Sequence, residues 1–419
     1  MKNRLFPIAA LIAVLLVLSL SACSLPFQFN QPATLPQIDP IPDNPTAYTG
    51  SVMVPTESST EAPLSGTASP FRDDPAWAAA QEKAAQWYEE MNNTERICQL
   101  FMVFPEALTT EKTMLVMEGW ELKYRPVGAV VLQADNLQSP EQTTAMIDAF
   151  RKASRLPIFL CTTEEGGRLS PLARKLGTVS LGNMYSYRGD GTEKAYDNAR
   201  AIARALQSVH FDLNLAPVTD VWSISEIKTI GTRAYSDSFD KAASLISSAV
   251  RGYRECDVLC TLKHFPGSGE AIEQEDGTLK LIKKRSLLDK QEWQPFRSGI
   301  QAGAELVMVG NILATDLDPV NAAPFSTVVL SVLRNGLDFD GIILADGLLG
   351  ADNNESAANC VRALAAGCDM LFCPVTSPNK LDFILQTISE ALENNVLSWD
   401  RIQESVIRVL SIKIYRGVE

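Results

Sequence analysis

The apolar residues of this chain fall in short, unbroken runs at fairly even intervals. From residue 99 onward eight runs stand out: QLFMV (99–103), GAVVLQ (128–133), PIFLCT (157–162), FDLNLAP (211–217), VLCTLKH (258–264), ELVMVGN (305–311), GIILAD (341–346) and DMLFCP (369–374). Each is rich in β-branched or aromatic residues and nearly continuous in apolar character. That is the pattern of parallel strands buried on both faces. Helical stretches lie between them at 139–153, 192–208, 239–255, 290–303, 326–335 and 353–366, and two more follow the last run at 379–394 and 398–415. Eight strands alternating with helices predict a (β/α)8 TIM barrel over residues 76–419. A doubly wound sheet gives the same alternation, so periodicity alone leaves both architectures open.

The first apolar run is of another kind. Lys2 and Arg4 precede FPIAALIAVLLVL (6–18), which is too short to span a bilayer comfortably, and Leu20-Ser21-Ala22-Cys23 follows it. The arrangement resembles a bacterial lipobox: small residues admit the peptidase and the cysteine thiol takes the lipid. Residues 1–22 are therefore expected to be a lipoprotein signal peptide. Cys23 is the expected lipidation site, and the protein is expected on the extracytoplasmic face of the cell membrane. Residues 24–75 hold ten of the chain's 23 prolines, many Ser and Thr, and no Lys or Arg before Arg72. Such a stretch cannot bury enough apolar surface to order itself, so 23–75 reads as a disordered, semi-extended linker.

Composition narrows the partners. The 419 residues are 46% hydrophobic and 21% charged, the balance of a globular protein with a sizeable core. A net charge of -13 repels phosphate backbones and argues against nucleic acid. The seven cysteines after Cys23 are scattered and odd in number, which suits buried thiols better than a disulfide framework. Cys256 and Cys260 have no second pair or histidine near them in sequence, so no metal site is expected. Only two histidines occur, His210 and His264.

In a barrel the working residues sit at the C-terminal ends of strands. Here those ends carry Glu164-Glu165-Gly166-Gly167-Arg168 after the third strand and Asp220 after the fourth, with Arg233 in the loop IGTRAYSDS (230–238). KHFPGSGE (263–270) closes the fifth strand and Asp346 the seventh. One charged group per strand end, converging on one face, is the pattern of a site for something polar. KHFPGSG resembles the Lys-His-Phe-Pro-Gly-His-Gly signature of family 3 glycoside hydrolases, in the single-domain β-N-acetylhexosaminidase branch. EEGGR, APVTDV, IGTRAYSDS, the Ala-Asp of GIILADGL and the final RVLSIKIYRG are similar to further blocks of that branch, in the same order. The resemblance runs from about Met91 to the C-terminus and favours the closed barrel.

The resemblance implies an O-glycosyl hydrolase with a retaining mechanism: a carboxylate attacks the anomeric carbon, while an acid/base group protonates the leaving oxygen and later activates water. Asp346 matches the nucleophile. Lys263, His264 and Arg233 match groups that hold sugar hydroxyls, and Arg168 and Glu165 join them as expected substrate-binding residues. The implied partner is a β-linked sugar such as an N-acetylglucosamine unit of a peptidoglycan fragment or surface glycan, and no cofactor is implied.

The pattern also breaks. The branch carries its acid/base histidine in the loop after KHFPGHG, where this chain has Gln274, Glu275 and Asp276. Glu275 and Asp276 are the candidate replacements, in an acidic run that also holds Glu270 and Glu273, and activity is expected to be reduced. Thr163 stands where an aspartate reads hydroxyls, and Pro171 where an arginine is expected, although Arg174 could reach the same space. The alternative reading is a catalytically impaired sugar-binding lipoprotein on the same barrel. A solute-binding lipoprotein would instead require two hinged lobes, against the order of the blocks.

Overall fold

The computed structural model describes Phe71 and residues 74–105 and 125–418. The signal peptide, Cys23 and nearly all of the linker assigned to 23–75 lie outside the described residues.

Eight parallel strands close into a ring: β1 (Phe101–Val103), β2 (Ala129–Val131), β3 (Phe159–Thr162), β4 (Leu213–Asn214) and β5 (Leu259–Phe265), then β8 (Leu306–Val309), β10 (Ile342–Ala345) and β11 (Met370–Val375). β1 closes the ring by pairing with β11, Phe101 against Leu371. Six of the strands fall within the apolar runs, and β5 and β11 each extend one residue past theirs. Along the strands alternate residues separate into two cores. Met102, Ala129, Phe159, Leu259, Leu306, Ile342 and Leu344 belong to a cluster that fills the ring. Phe101, Val130, Leu160, Cys260, Val307 and Ile343 pack in the layer beneath the surrounding helices. Both faces are covered, which is why the runs are nearly continuous in apolar character and the polar residues within them, such as Asn214 and Thr261, are buried.

The helices start where short polar residues can cap them. Ser139, Ser377 and Ser398 each accept a backbone N–H in the first turn of Pro140–Ala153, Pro378–Glu393 and Trp399–Tyr415, two of which open on proline. Three features differ from the pattern expected. The 326–335 stretch is a short α-helix, Thr327–Ser331, continued as a π-turn over Val332–Gly336. The 290–303 stretch begins only at Trp293, after a separate helix Arg285–Lys290. Two unforeseen helices, Pro75–Glu90 and Asn93–Cys98, precede β1.

The N-terminal helix is fastened to the last one. Phe71, only 2% exposed, packs with Trp77 and Tyr415 at centroid separations of 5.6 and 5.5 Å, and Tyr415 donates to Asp74 at 2.8 Å. Lys413, fully buried, donates to the carbonyl of Pro157 just ahead of β3, and Arg416 pairs with Glu305 just ahead of β8. This contact is therefore at the barrel floor, the end opposite the strand C-termini, and the packed chain reaches back to Phe71. All seven cysteines from Cys98 onward are buried free thiols.

A second, three-stranded sheet stands beside the ring. β6 (Ile272–Glu273) and β7 (Leu279–Leu281) form an antiparallel hairpin, and β7 pairs in parallel with β9 (Ile312–Ala314). The acidic loop read from the sequence is the turn of this hairpin.

Candidate active site

Counting by twos along the strands delivers the site. Leu259 faces the ring interior and Lys263 lies four residues on; Ile342 and Leu344 are followed in the same parity by Asp346, and Phe159 and Cys161 by Thr163. The last member of each series reaches the mouth. Asp346 is partly exposed there. Its backbone N–H is held by Val309 at 2.9 Å, and its carboxylate accepts the N–H of Gly347 at 2.7 Å.

Lys263 and Arg233 share one counter-ion. Glu165 receives Lys263 at 2.5 Å and both Nε and Nη2 of Arg233 at 2.8 Å. The side chains of Lys263 and Glu165 are each only 5% exposed. Burial alone would raise the Glu165 carboxyl, but the two cations outweigh it and hold it at about 2. Burial likewise pulls the Lys263 ammonium below the ordinary lysine range, against the attraction of Glu165 and Asp346. Both oxygens of Glu165, expected to bind substrate, are thus committed to positioning two cations. The turn that brings Glu165 here needs glycine: Gly166 has φ +87°, and a Cβ on it would lie 2.8 Å from the carbonyl of Gly182.

Asp220, buried in the loop that follows β4, clamps the end of β5 and the loop after it. It accepts the His264 ring at 2.8 Å, the His264 N–H at 3.1 Å and the Ser268 N–H at 2.6 Å. Burial opposes its charge, but the His264 and Ser268 donors keep the carboxyl below its usual range. Gly269 passes so close to Val221 that a Cβ would sit 1.8 Å from its carbonyl oxygen. His264 is thereby oriented by a carboxylate and 17% of its side chain is exposed.

Glu275 and Asp276 are exposed at the hairpin turn, where Asp276 accepts the N–H of Thr278 at 2.9 Å. The hairpin is anchored near Asp346: Leu279 donates to Asn311 at 3.0 Å, and Asn311 packs against Gly347. Glu270 is held apart from the turn by Ser223 at 2.6 Å and Lys283 at 3.0 Å. Glu164 is bound to the first turn of the helix Pro171–Leu176. It accepts the Leu172 N–H at 2.8 Å, and burial pushes its carboxyl up to about 7.

Arg168 lies in a neighbouring part of the mouth. A cleft of about 260 Å³ opens at the ends of β1, β2, β3 and β11, lined among others by Phe104, Phe372, Thr163, Arg168 and Arg174. Arg174 therefore does reach the space beside Thr163. This cleft, with its Phe104–Phe372 edge-to-face pair at 4.9 Å, was not foreseen as a unit. Among the described residues no group of three or more His, Cys, Asp or Glu side chains is placed to hold a metal ion.

The fold is thus a TIM barrel whose acidic and basic strand-end residues meet at the C-terminal mouth, where proteins of this fold place their chemistry. The model of the glycosyl hydrolase family 3 N terminal domain matches residues 94–412, and the chain belongs to that family. Beta-hexosaminidase A of Pseudoalteromonas piscicida is 26% identical over 317 residues, covering 68% of this chain and 53% of its own length. A beta-hexosaminidase of Xylella fastidiosa is 28% identical over 299 residues, covering 67% of this chain and 88% of its own. The solved glycoside hydrolase family 3 beta-N-acetylglucosaminidase of Paenibacillus sp. superposes with a TM-score of 0.69 at 26% identity, covering 78% of this chain and 63% of that one. The chain thus spans about half of the first relative and just under two thirds of the solved one.

Proposed function

We propose that this protein is a retaining glycosidase of the β-N-acetylhexosaminidase kind, acting on β-linked N-acetylglucosaminyl sugars, with Asp346 as nucleophile. The observation that carries the reading is the placement of Asp346: a partly exposed carboxylate, held at a strand end by Val309 and Gly347, in the same mouth as Lys263. Such rigidity suits near-attack geometry. Lys263 supplies a fixed positive charge within electrostatic reach of the nucleophile, and His264 and Arg233 offer donors to vicinal hydroxyls. The acid/base is assigned to Glu275 or Asp276, because the hairpin carrying them is anchored through Asn311 beside Gly347. Glu270 is engaged by Lys283 and Ser223. With sugar bound, one of the two would stand about 5–5.5 Å from Asp346, as a retaining pair requires.

The exposure of Glu275 and Asp276 also favours the second reading, a barrel that binds sugar and turns over slowly. Loss of a general acid typically costs about 10² to 10⁴ in rate. The reading further includes a lipid anchor at Cys23 that holds the protein on the extracytoplasmic face of the membrane, supported by the lipobox-like residues 20–23.

The test is to incubate the full chain with an aryl β-N-acetylglucosaminide and with the matching fluorosugar. Aryl release together with covalent label on Asp346 supports the enzyme. Sugar binding with neither release nor label leaves the slow binder, and label on another residue overturns the assignment.

A further inference from the structure

The cleft beside Arg168 is built unlike a pocket that reads neutral hydroxyls. Its floor is apolar, formed by Phe104, Val131, Leu132 and Phe372, and suits the C–H face of one pyranose ring. At about 260 Å³ it falls just short of the roughly 300–1,000 Å³ of pockets for drug-sized ligands, so it has room for one ring and its substituent. Two cations stand on its rim. Arg168 and Arg174 are exposed and form no ion pair among the described residues, although the chain carries 50 acidic against 37 basic residues. Lys175, adjacent in sequence to Arg174, pairs with Asp135 at 3.7 Å. The two nearest carboxylates in sequence are engaged elsewhere, Glu165 with Lys263 and Arg233, and Glu164 with the Leu172 N–H. Position 163, where a carboxylate would have repelled an anion, is a threonine. The Thr162 hydroxyl, fully buried and lining the same cleft, has no hydrogen-bond partner among the described residues. A hydroxyl and two guanidinium groups without partners among the described residues, over an apolar floor, suit a ring bearing a negative charge.

We propose that this cleft selects a sugar carrying an anionic substituent, a carboxylate, sulfate or phosphate, with Arg168 and Arg174 as the specificity-determining residues. The ring packs on Phe104 and Phe372, and the anion spans the two arginines. The proposal refines the glycosidase reading by naming the class of sugar in the mouth. It concerns binding, so it is measured without turnover.

Calorimetric titration of the full chain with N-acetylglucosamine, its 6-sulfate, its 6-phosphate and glucuronic acid tests it. At least one charged ligand is expected to bind about tenfold more tightly than the neutral sugar, and the order among the three identifies the anion. In Arg168→Gln/Arg174→Gln the preference is expected to fall to about twofold or less, and in wild type it weakens with salt. Equal binding of neutral sugar, no heat with any ligand, or a preference that survives the double substitution would overturn the proposal. The glycosidase reading fails separately, when Asp346→Asn leaves aryl release intact; charged-ligand binding in that variant still supports the cleft.

Discussion

Lys263 and Glu165 meet at 2.5 Å in the mouth of the barrel, each with a side chain 95% withdrawn from solvent, and Arg233 closes on the other side of the same carboxylate. Two cations on one anion leave that trio with an excess positive charge, and Lys263 also senses Asp346. The arrangement fixes the lysine's position in the mouth.

Removing that shared anion is therefore expected to be severe. Glu165→Gln leaves two largely buried cations without their counter-charge, a cost of about 3–5 kcal/mol, to be read from the urea midpoint. The same carboxyl predicts an acid limb. It is held at about 2 in the fold, below its unfolded value, so its contribution is complete above the ordinary carboxylate range and declines as pH falls toward 2. Glu165→Gln should flatten that limb.

Asp346→Asn is expected to lower kcat for an aryl glycoside by at least about 10³-fold while moving the melting temperature little. An asparagine oxygen can still accept the Gly347 N–H, and the side chain is partly exposed. A folded variant with wild-type kcat would remove Asp346 from the mechanism.

Glu275→Gln/Asp276→Asn is expected to slow hydrolysis of a natural disaccharide by about 10² to 10⁴-fold. An aryl substrate with a good leaving group should be affected far less, because it needs little protonation to depart. Stability should stay within about 0.5 kcal/mol, since both side chains are exposed. Equal rates for wild type and variant on the disaccharide would place the acid elsewhere.

Gly269→Ala probes the loop rather than the chemistry. A methyl 1.8 Å from the Val221 carbonyl must push the strand-end segments apart, at an expected cost of about 1–3 kcal/mol. Because Asp220 ties this loop to His264 and Ser268, KM for sugar should rise along with the loss of stability. Unchanged KM and melting temperature would show that the loop has slack.

Glu164 gives the opposite pH signature from Glu165. Burial raises its carboxyl to about 7, so the folded state holds the proton more tightly than the unfolded chain, and stability falls as pH rises from the ordinary carboxylate range to about 7. Glu164→Gln, which can still accept the Leu172 N–H, is expected to reduce that fall. Urea titrations at pH 5 and pH 8 decide it.

The barrel was legible because its strands are covered on both faces, so their apolar runs are continuous and easy to separate from the amphipathic helices. The strand-end placement of Asp346 and Lys263 was legible too, since each lies at the C-terminal end of one of the apolar runs. What escaped was tertiary. Nothing near Glu165 in the chain shows that it will be shared by Arg233, from the loop after β4, and Lys263, from β5. The β6–β7 hairpin was missed because its strands are two and three residues long, and Ile272 in it is 58% exposed. Such a segment reads as an acidic loop. Asp74-Pro75 is a helix start, but it closes a proline-rich stretch and was absorbed into the linker. The floor contact of Phe71 with Tyr415 joins the two ends of the domain, and no local pattern encodes it.

That contact has a mechanical consequence. Phe71, Trp77 and Tyr415 fasten the incoming chain to the underside of the ring, and Asp346 opens at the top. Any pull or attachment transmitted from upstream of Phe71 is delivered along the barrel axis to the end farthest from the pocket.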